Sequence, residues 1–166
     1  MFAIGGVAMQ LHSREPRTTL DIDLAVRTFA DIPRDALTKA GFIHEGHHPH
    51  SDNWRAPGAG PRAQRTAIRF SSEDVGIGAA IDRARTVDAG GFDLRLASPT
   101  DLLVLKLAAA EEPSRRPSKR RQDLLDIITL AEEYPEAAAE LPDLPRRVEQ
   151  LASKLLTVAP GRGPER

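Results

Sequence analysis

The chain has no cysteine among its 166 residues. A disulfide framework, a thiolate metal centre and a cysteine nucleophile are all excluded, and the composition suits a reducing cytoplasm. Aromatic residues make up only 4%, with a single tryptophan, which leaves little for a base-stacking platform. An excess of either charge sign is also lacking: 23 Lys and Arg against 24 Asp and Glu give a formal net charge of -1. That excludes a protein coating nucleic acid by global basicity, so any polyanion site must be local. Long apolar runs are missing too. The longest, Leu102 to Ala110, is interrupted by Lys106 and falls far short of the roughly 20 residues of a membrane span. The opening MFAIGGVAMQLHS has no basic leader and carries a double glycine in its apolar stretch, unlike a signal peptide. A soluble protein with no membrane partner is expected.

What is present suffices for one folded domain. Hydrophobic residues at 40% and charged residues at 28% are ordinary globular values. A chain of this length buries roughly two-thirds of its unfolded surface. Phe2-Ala3-Ile4 reads as a short strand broken at Gly5-Gly6, and Val7 to Leu11 as a helix. In LDIDLAV, Leu20, Ile22, Leu24 and Val26 share one strand face, and Asp21, Asp23 and Ala25 the other. A helix from about Pro33 to Ala40 stops at Gly41, and Phe42-Ile43 starts another strand. Gly46 to Pro61 reads as a long loop. Arg65 to Ser71 is a predicted strand, Ile77 to Val87 a helix, and Phe92 to Ala97 the last strand.

From Ser98 the pattern turns helical, with Ser98 as N-cap, Pro99 at N1 and Asp101 at N3. Leu124, Ile127, Ile128 and Ala131 form an inward stripe on the next helix, which Pro135 ends. A weaker helix covers about Arg146 to Leu156. The expected architecture is α+β: a mixed β-sheet core to about residue 97 under a helical C-terminal layer. It forms one domain over residues 1–158, followed by a flexible tail at 159–166.

Asp21-Ile22-Asp23 carries the most chemical information. Alternation places both carboxylates on one strand face, about 6.6 Å apart at Cβ. Their repulsion is relieved by a hard cation such as Mg²⁺, and such a pair can serve phosphoryl transfer. A wet acidic strand face is the alternative, and a sugar-nucleotide transferase uses a similar pair. Gly5-Gly6, between a strand and a helix, lets a phosphate approach backbone N–H groups unhindered; it can equally be a plain turn. Lys106 sits on a helix apolar almost all round. Burying an ammonium costs several kcal/mol unless it is paired, so it snorkels, pairs with a carboxylate or meets a ligand phosphate.

Asp123 borders the apolar stripe of the following helix, with Asp126 further round towards solvent, and Arg120 lies on the stripe itself. Arg115, Arg116, Lys119, Arg120 and Arg121 form a local basic cluster, suited to nucleotide phosphates, to an RNA backbone or simply to solvent. His44, His47, His48 and His50 match no familiar metal spacing and read as loop residues. Trp54 beside Arg55 is one aromatic that a base can stack on.

IGGVAMQLH, RTTLDIDLAV and SPTDLLVLKLAAAEEPSRRPSKRRQDLLDI together resemble the AbiEii-like branch of the DNA polymerase β-type nucleotidyltransferase superfamily. Its members include toxins of type IV toxin–antitoxin systems and related mycobacterial nucleotidyltransferase toxins. The resemblance extends to about residue 134. It implies a nucleotide bound over the strand of Asp21 and Asp23, with Gly5 and Gly6 at the triphosphate and Mg²⁺ on the two aspartates. Lys106 would meet phosphate, and Asp123 would support Lys106 or the acceptor. Arg17 and Thr19 would shape the approach to the strand, and Arg120 would join the nucleotide contacts. Met1 falls almost on a buried strand, so either the start is truncated or the usual leading helix is absent.

One departure concerns the third carboxylate that many superfamily members carry on a neighbouring strand. Here RTAIRFS presents Arg65, Ala67 and Arg69 on its polar face, and Glu73 and Asp74 come only afterwards. Either Asp74 swings in or a two-metal site is incomplete. The resemblance implies an Mg²⁺-dependent nucleotidyltransferase acting from an NTP on tRNA or another macromolecule, toxin-like, with a cognate antitoxin as a partner. The alternative is a degenerate nucleotidyltransferase-like module that binds nucleotide or a partner protein without catalysis. A drug-modifying nucleotidyltransferase is a third reading.

Overall fold

The computed structural model describes residues 1–14, 19–72, 77–91 and 93–156. Arg17, Glu73, Asp74, Phe92 and the tail at 159–166 lie outside the described residues. The fold is α+β. The chain forms two compact units, Met1–Leu105 and Lys106–Arg166, each described by itself.

The first unit holds a seven-stranded mixed sheet. Its strands are β1 (Phe2–Ile4), β2 (Asp21–Ala25), β3 (Ile43–His48), β4 (Ser51–Arg55), β5 (Ala67–Ser71), β6 (Arg85–Asp88) and β7 (Asp93–Leu96), in the order β3-β4-β5-β2-β1-β7-β6. β2 runs parallel to β5 and antiparallel to β1, and β1 runs parallel to β7. Helix α1 (Gly5–His12) follows β1 directly, α2 (Arg34–Lys39) precedes β3, and α3 (Ile77–Arg83) precedes β6.

Alternation decides which sheet face is buried. Leu24, Ile68, Phe70 and Trp54 share a face and, with Val26, Ile32, Phe29, Leu37 and Phe42, build one apolar cluster. Burial of each large side chain there contributes about 1.5–3 kcal/mol. The opposite face carries Asp21 and Asp23, in register with Ala67 and Arg69 of β5, which pair in turn with Arg55 and Asn53 of β4.

Two expectations fail in this unit. Residues 46–61 are not one long loop, because β3 and β4 form a hairpin turning at Pro49-His50. Its polarity is deceptive. Asp52 is fully buried and receives Trp54 Nε1 at 2.6 Å and Arg34 Nη2 at 2.8 Å. His47 Nδ1 and His44 Nε2 each stand 3.3 Å from the same carboxylate. At one inward position of β4, beside Trp54, a carboxylate satisfied by these partners stands where an apolar residue is usual. A bulge between His44 and Gly46 breaks the period further.

The predicted helix to Val87 also ends early. Residues 85–88 pair with β7 instead, because Gly90 and Gly91 both adopt positive φ. The Asp88 carboxylate accepts the Gly91 N–H at 2.7 Å, which closes a hairpin.

Helix α4 (Pro99–Glu111) contains the division between the units. Ser98 caps it as the sequence predicts: the Asp101 N–H donates to Ser98 Oγ, whose hydroxyl donates to Asp101 Oδ2. Arg83 Nε then reaches Asp101 at 3.3 Å. The second unit contains α5 (Pro117–Glu133), α6 (Pro135–Ala139) and α7 (Leu144–Leu155). Pro135 ends α5 and opens α6 at its first turn. Leu124, Ile127 and Leu130 of α5 are fully buried. No helix among the described residues is long and apolar enough to cross a membrane.

Candidate active site

In the first unit the site is built around the junction of β1 and α1. Ile4 pairs with Asp23 across the antiparallel ladder, so the chain leaves β1 directly over the Asp23 side chain. Gly5 makes that exit at φ 64°, a left-handed conformation that side-chain-bearing residues rarely adopt. A Cβ there would also lie 2.8 Å from Asp23 Cβ and Cγ, and one on Gly6 would lie 2.8 Å from Thr19 Oγ1. Both glycines are therefore required by close approach of the β1–α1 turn to the strand below.

Thr19 lies beneath Gly6 and steadies the start of β2, where the Asp21 N–H donates to its Oγ1 at 3.3 Å. At the far end of α1, His12 Nε2 lies 2.8 Å from the Ala97 carbonyl oxygen. α1 begins beside Asp23 without a side-chain cap.

Asp21 and Asp23 are half-buried on one face of β2. Asp23 lies across from Arg69, whose Nη1 stands 3.5 Å from Asp23 Oδ1. Ala67, opposite Asp21, has no reach. One strand further, Arg55 feels the Asp21 charge but is held elsewhere. Its guanidinium donates to Glu45 Oε2 and to the Arg65 carbonyl, each at 2.8 Å. The hydrogen bond to Glu45 is the main cause that raises the Arg55 pKa.

In the second unit Lys106 is buried and clasped by two carboxylates, Asp123 Oδ1 at 2.9 Å and Asp126 Oδ2 at 2.6 Å. Arg115 Nε donates to the other oxygen of Asp123 at 2.9 Å, and Gln122 to Asp126 at 3.0 Å. Two cations and two carboxylates neutralise one another in this cluster, and pairing of this kind is the condition for burying charge without a large penalty.

The sequence reading set Asp126 towards solvent, but it is 3% exposed. An Asp-x-x-Asp spacing puts both carboxylates on one helical face, which was the signal for it. Arg120 donates to the Ala110 carbonyl at 2.7 Å and Arg121 to the Leu155 carbonyl at 2.6 Å. Two of the five residues of the basic run thus serve helix ends.

Among the described residues no group of three or more His, Cys, Asp or Glu side chains could hold a metal. His44 and His47 instead surround Asp52 on the core face, with the His44 ring tilted over Trp54 and the His47 ring edge-on to Phe29.

The mixed sheet thus carries a glycine turn set against an acidic strand. The solved structure of an antigenic nucleotidyltransferase-like protein from Paracoccidioides brasiliensis shares this fold. It is 20% identical with TM-score 0.51, over 89% of this chain and 83% of that one. The solution structure of the antibiotic-resistance factor ANT(2'')-Ia is 16% identical with TM-score 0.48, over 94% of this chain and 81% of that one. No curated protein sequence matches the chain. The family model for the nucleotidyl transferase AbiEii toxin of type IV toxin–antitoxin systems matches residues 4–161. The chain belongs to that family.

Proposed function

We propose that the chain transfers a nucleoside monophosphate from an NTP to an acceptor hydroxyl of tRNA or another macromolecule, as an intracellular toxin held in check by an antitoxin. The observation that carries this reading is the Gly5-Gly6 turn pressed against the Asp23 carboxylate. It sets the start of α1 next to a paired-acid strand, an arrangement that supports triphosphate binding beside metal binding.

The residues fit Mg²⁺, an ion that takes one or two carboxylates and completes its shell with water and substrate phosphates. Asp21 and Asp23 supply two half-buried oxygen donors on one face. Bound there, Mg²⁺ would act as a Lewis acid on the phosphoryl oxygens.

The chain's own residues do the rest. The first N–H groups of α1 take phosphate oxygens, and Thr19 shapes the approach to β2. In the second unit, Lys106 spends two of its three N–H donors on Asp123 and Asp126, which leaves one for a phosphate. Asp123 holds the ammonium in place, and Arg120 fixes the end of α4. The acceptor oxygen attacks the α-phosphate, its proton passes to solvent or a carboxylate, and pyrophosphate leaves.

The Arg69 guanidinium beside Asp23, where many superfamily members carry a third carboxylate, favours a second reading: a non-catalytic nucleotide- or partner-binding module. The deciding assay supplies each α-labelled NTP with Mg²⁺ to total tRNA and to protein, using wild type and Asp21→Asn/Asp23→Asn. Label that requires both acids is expected. Retained turnover in the double variant refutes the mechanism, and no label from folded wild type selects the non-catalytic module.

A further inference from the structure

The register of β2 against β5 sets Arg69 directly beside Asp23. Their ion pair, at 3.5 Å, is longer than a well-formed hydrogen bond. Arg69 is 45% exposed against 21% for Asp23. The guanidinium therefore touches the carboxylate with one nitrogen and leaves most of its five N–H donors to solvent. Its neighbour Arg55 differs, being committed to Glu45 and to a backbone carbonyl.

Two carboxylates and one guanidinium leave a single net negative charge on this patch. A second divalent ion would meet a fixed cation where a third acid would have to stand, and no third acid joins the pair among the described residues.

We propose that Arg69 replaces the second metal ion of this site. It is a permanent cation that limits the Asp21/Asp23 pair to one divalent ion and offers its unused donors to a phosphate of the nucleotide. Guanidinium suits both tasks, because it keeps its charge at any working pH and its planar fork matches phosphate oxygens. The inference rests on the reading of Asp21 and Asp23 as the metal-binding pair.

The test uses Mn²⁺, whose free form is counted by electron paramagnetic resonance, and tripolyphosphate added without metal. Wild type is expected to bind one Mn²⁺, a stoichiometry that Asp21→Asn/Asp23→Asn abolishes. Arg69→Ala should tighten Mn²⁺ about tenfold, the factor for a unit charge a few ångströms from a divalent ion in a solvent-facing site. It should weaken metal-free tripolyphosphate by a similar factor. Arg69→Lys should keep the wild-type Mn²⁺ affinity, because the charge is retained, and Arg69→Asp should admit a second Mn²⁺.

Two Mn²⁺ ions in wild type, or unchanged Mn²⁺ and tripolyphosphate affinities in Arg69→Ala, overturn the role of Arg69 and leave the metal pair standing. Absence of any Mn²⁺ bound to Asp21 and Asp23 overturns both. Circular dichroism melts of each variant separate these results from misfolding.

Discussion

Replacing Asp52 by Asn should destabilise the first unit by about 3 kcal/mol. The carboxylate is fully buried and accepts from Trp54 and Arg34, with His44 and His47 also facing it. An amide of the same shape removes the charge and points an NH₂ group at one of those donors. A charge-assisted hydrogen bond contributes about 1.5–3 kcal/mol, and breaking a buried ion pair costs about 3–5 kcal/mol. The Arg34 and histidine side chains are 40–52% exposed, so they rehydrate and the lower end applies.

With a urea dependence of about 2 kcal/mol per molar, the unfolding midpoint should fall by about 1.5 M. The assay is built into the site, because Trp54 is the only tryptophan and its fluorescence reports the Asp52 environment. Burial alone would raise the Asp52 pKa, but the hydrogen bonds from Arg34 and Trp54, with the Arg34 and His44 charges, outweigh it and hold the carboxyl below its usual 3.8. A depressed folded pKa means the unfolded state binds protons first. The Asp52 contribution is therefore complete above that usual value and disappears as pH falls through the folded one. The gap between wild type and Asp52→Asn should be full at pH 6 and close below about pH 4. A midpoint shift under about 0.3 M at pH 6, or a gap that persists unchanged in acid, refutes the role assigned to Asp52.

Lys106→Met should leave Asp123 and Asp126 buried together with Arg115 alone, at a cost of about 3–5 kcal/mol. Lys106→Met/Asp126→Leu should recover at least about 1 kcal/mol of that in a double-mutant cycle, and additive single effects would show that the cluster is not coupled. Gly5→Ala should cost about 2 kcal/mol or more, from the positive φ and from the collision with Asp23, and should weaken Mn²⁺ binding. Wild-type stability in chemical denaturation, with unchanged Mn²⁺ affinity, would show that the turn does not constrain Asp23.

The amino-acid sequence by itself determined most of the core of the fold. Period-two alternation in LDIDLAV fixed a strand with its acids on one face, and Ser98, Pro99 and Asp101 fixed the start of α4, because caps and alternation are local signals. The Gly-Gly turn was legible too, though not its reason: the collision of any side chain with Asp23 exists only once β1 has paired with β2. Tertiary structure alone decided the β3–β4 hairpin, where a buried Asp52 stands beside Trp54 on the core face and is tolerated only because Trp54, Arg34, His44 and His47 meet its carboxylate. It also decided that Asp126 joins Asp123 around Lys106, since the composition of α5 does not say which of its faces meets a buried ammonium. The same holds for Arg69. The sequence placed an arginine on the polar face of a strand, but parallel register across the sheet, a long-range pairing, set it against Asp23.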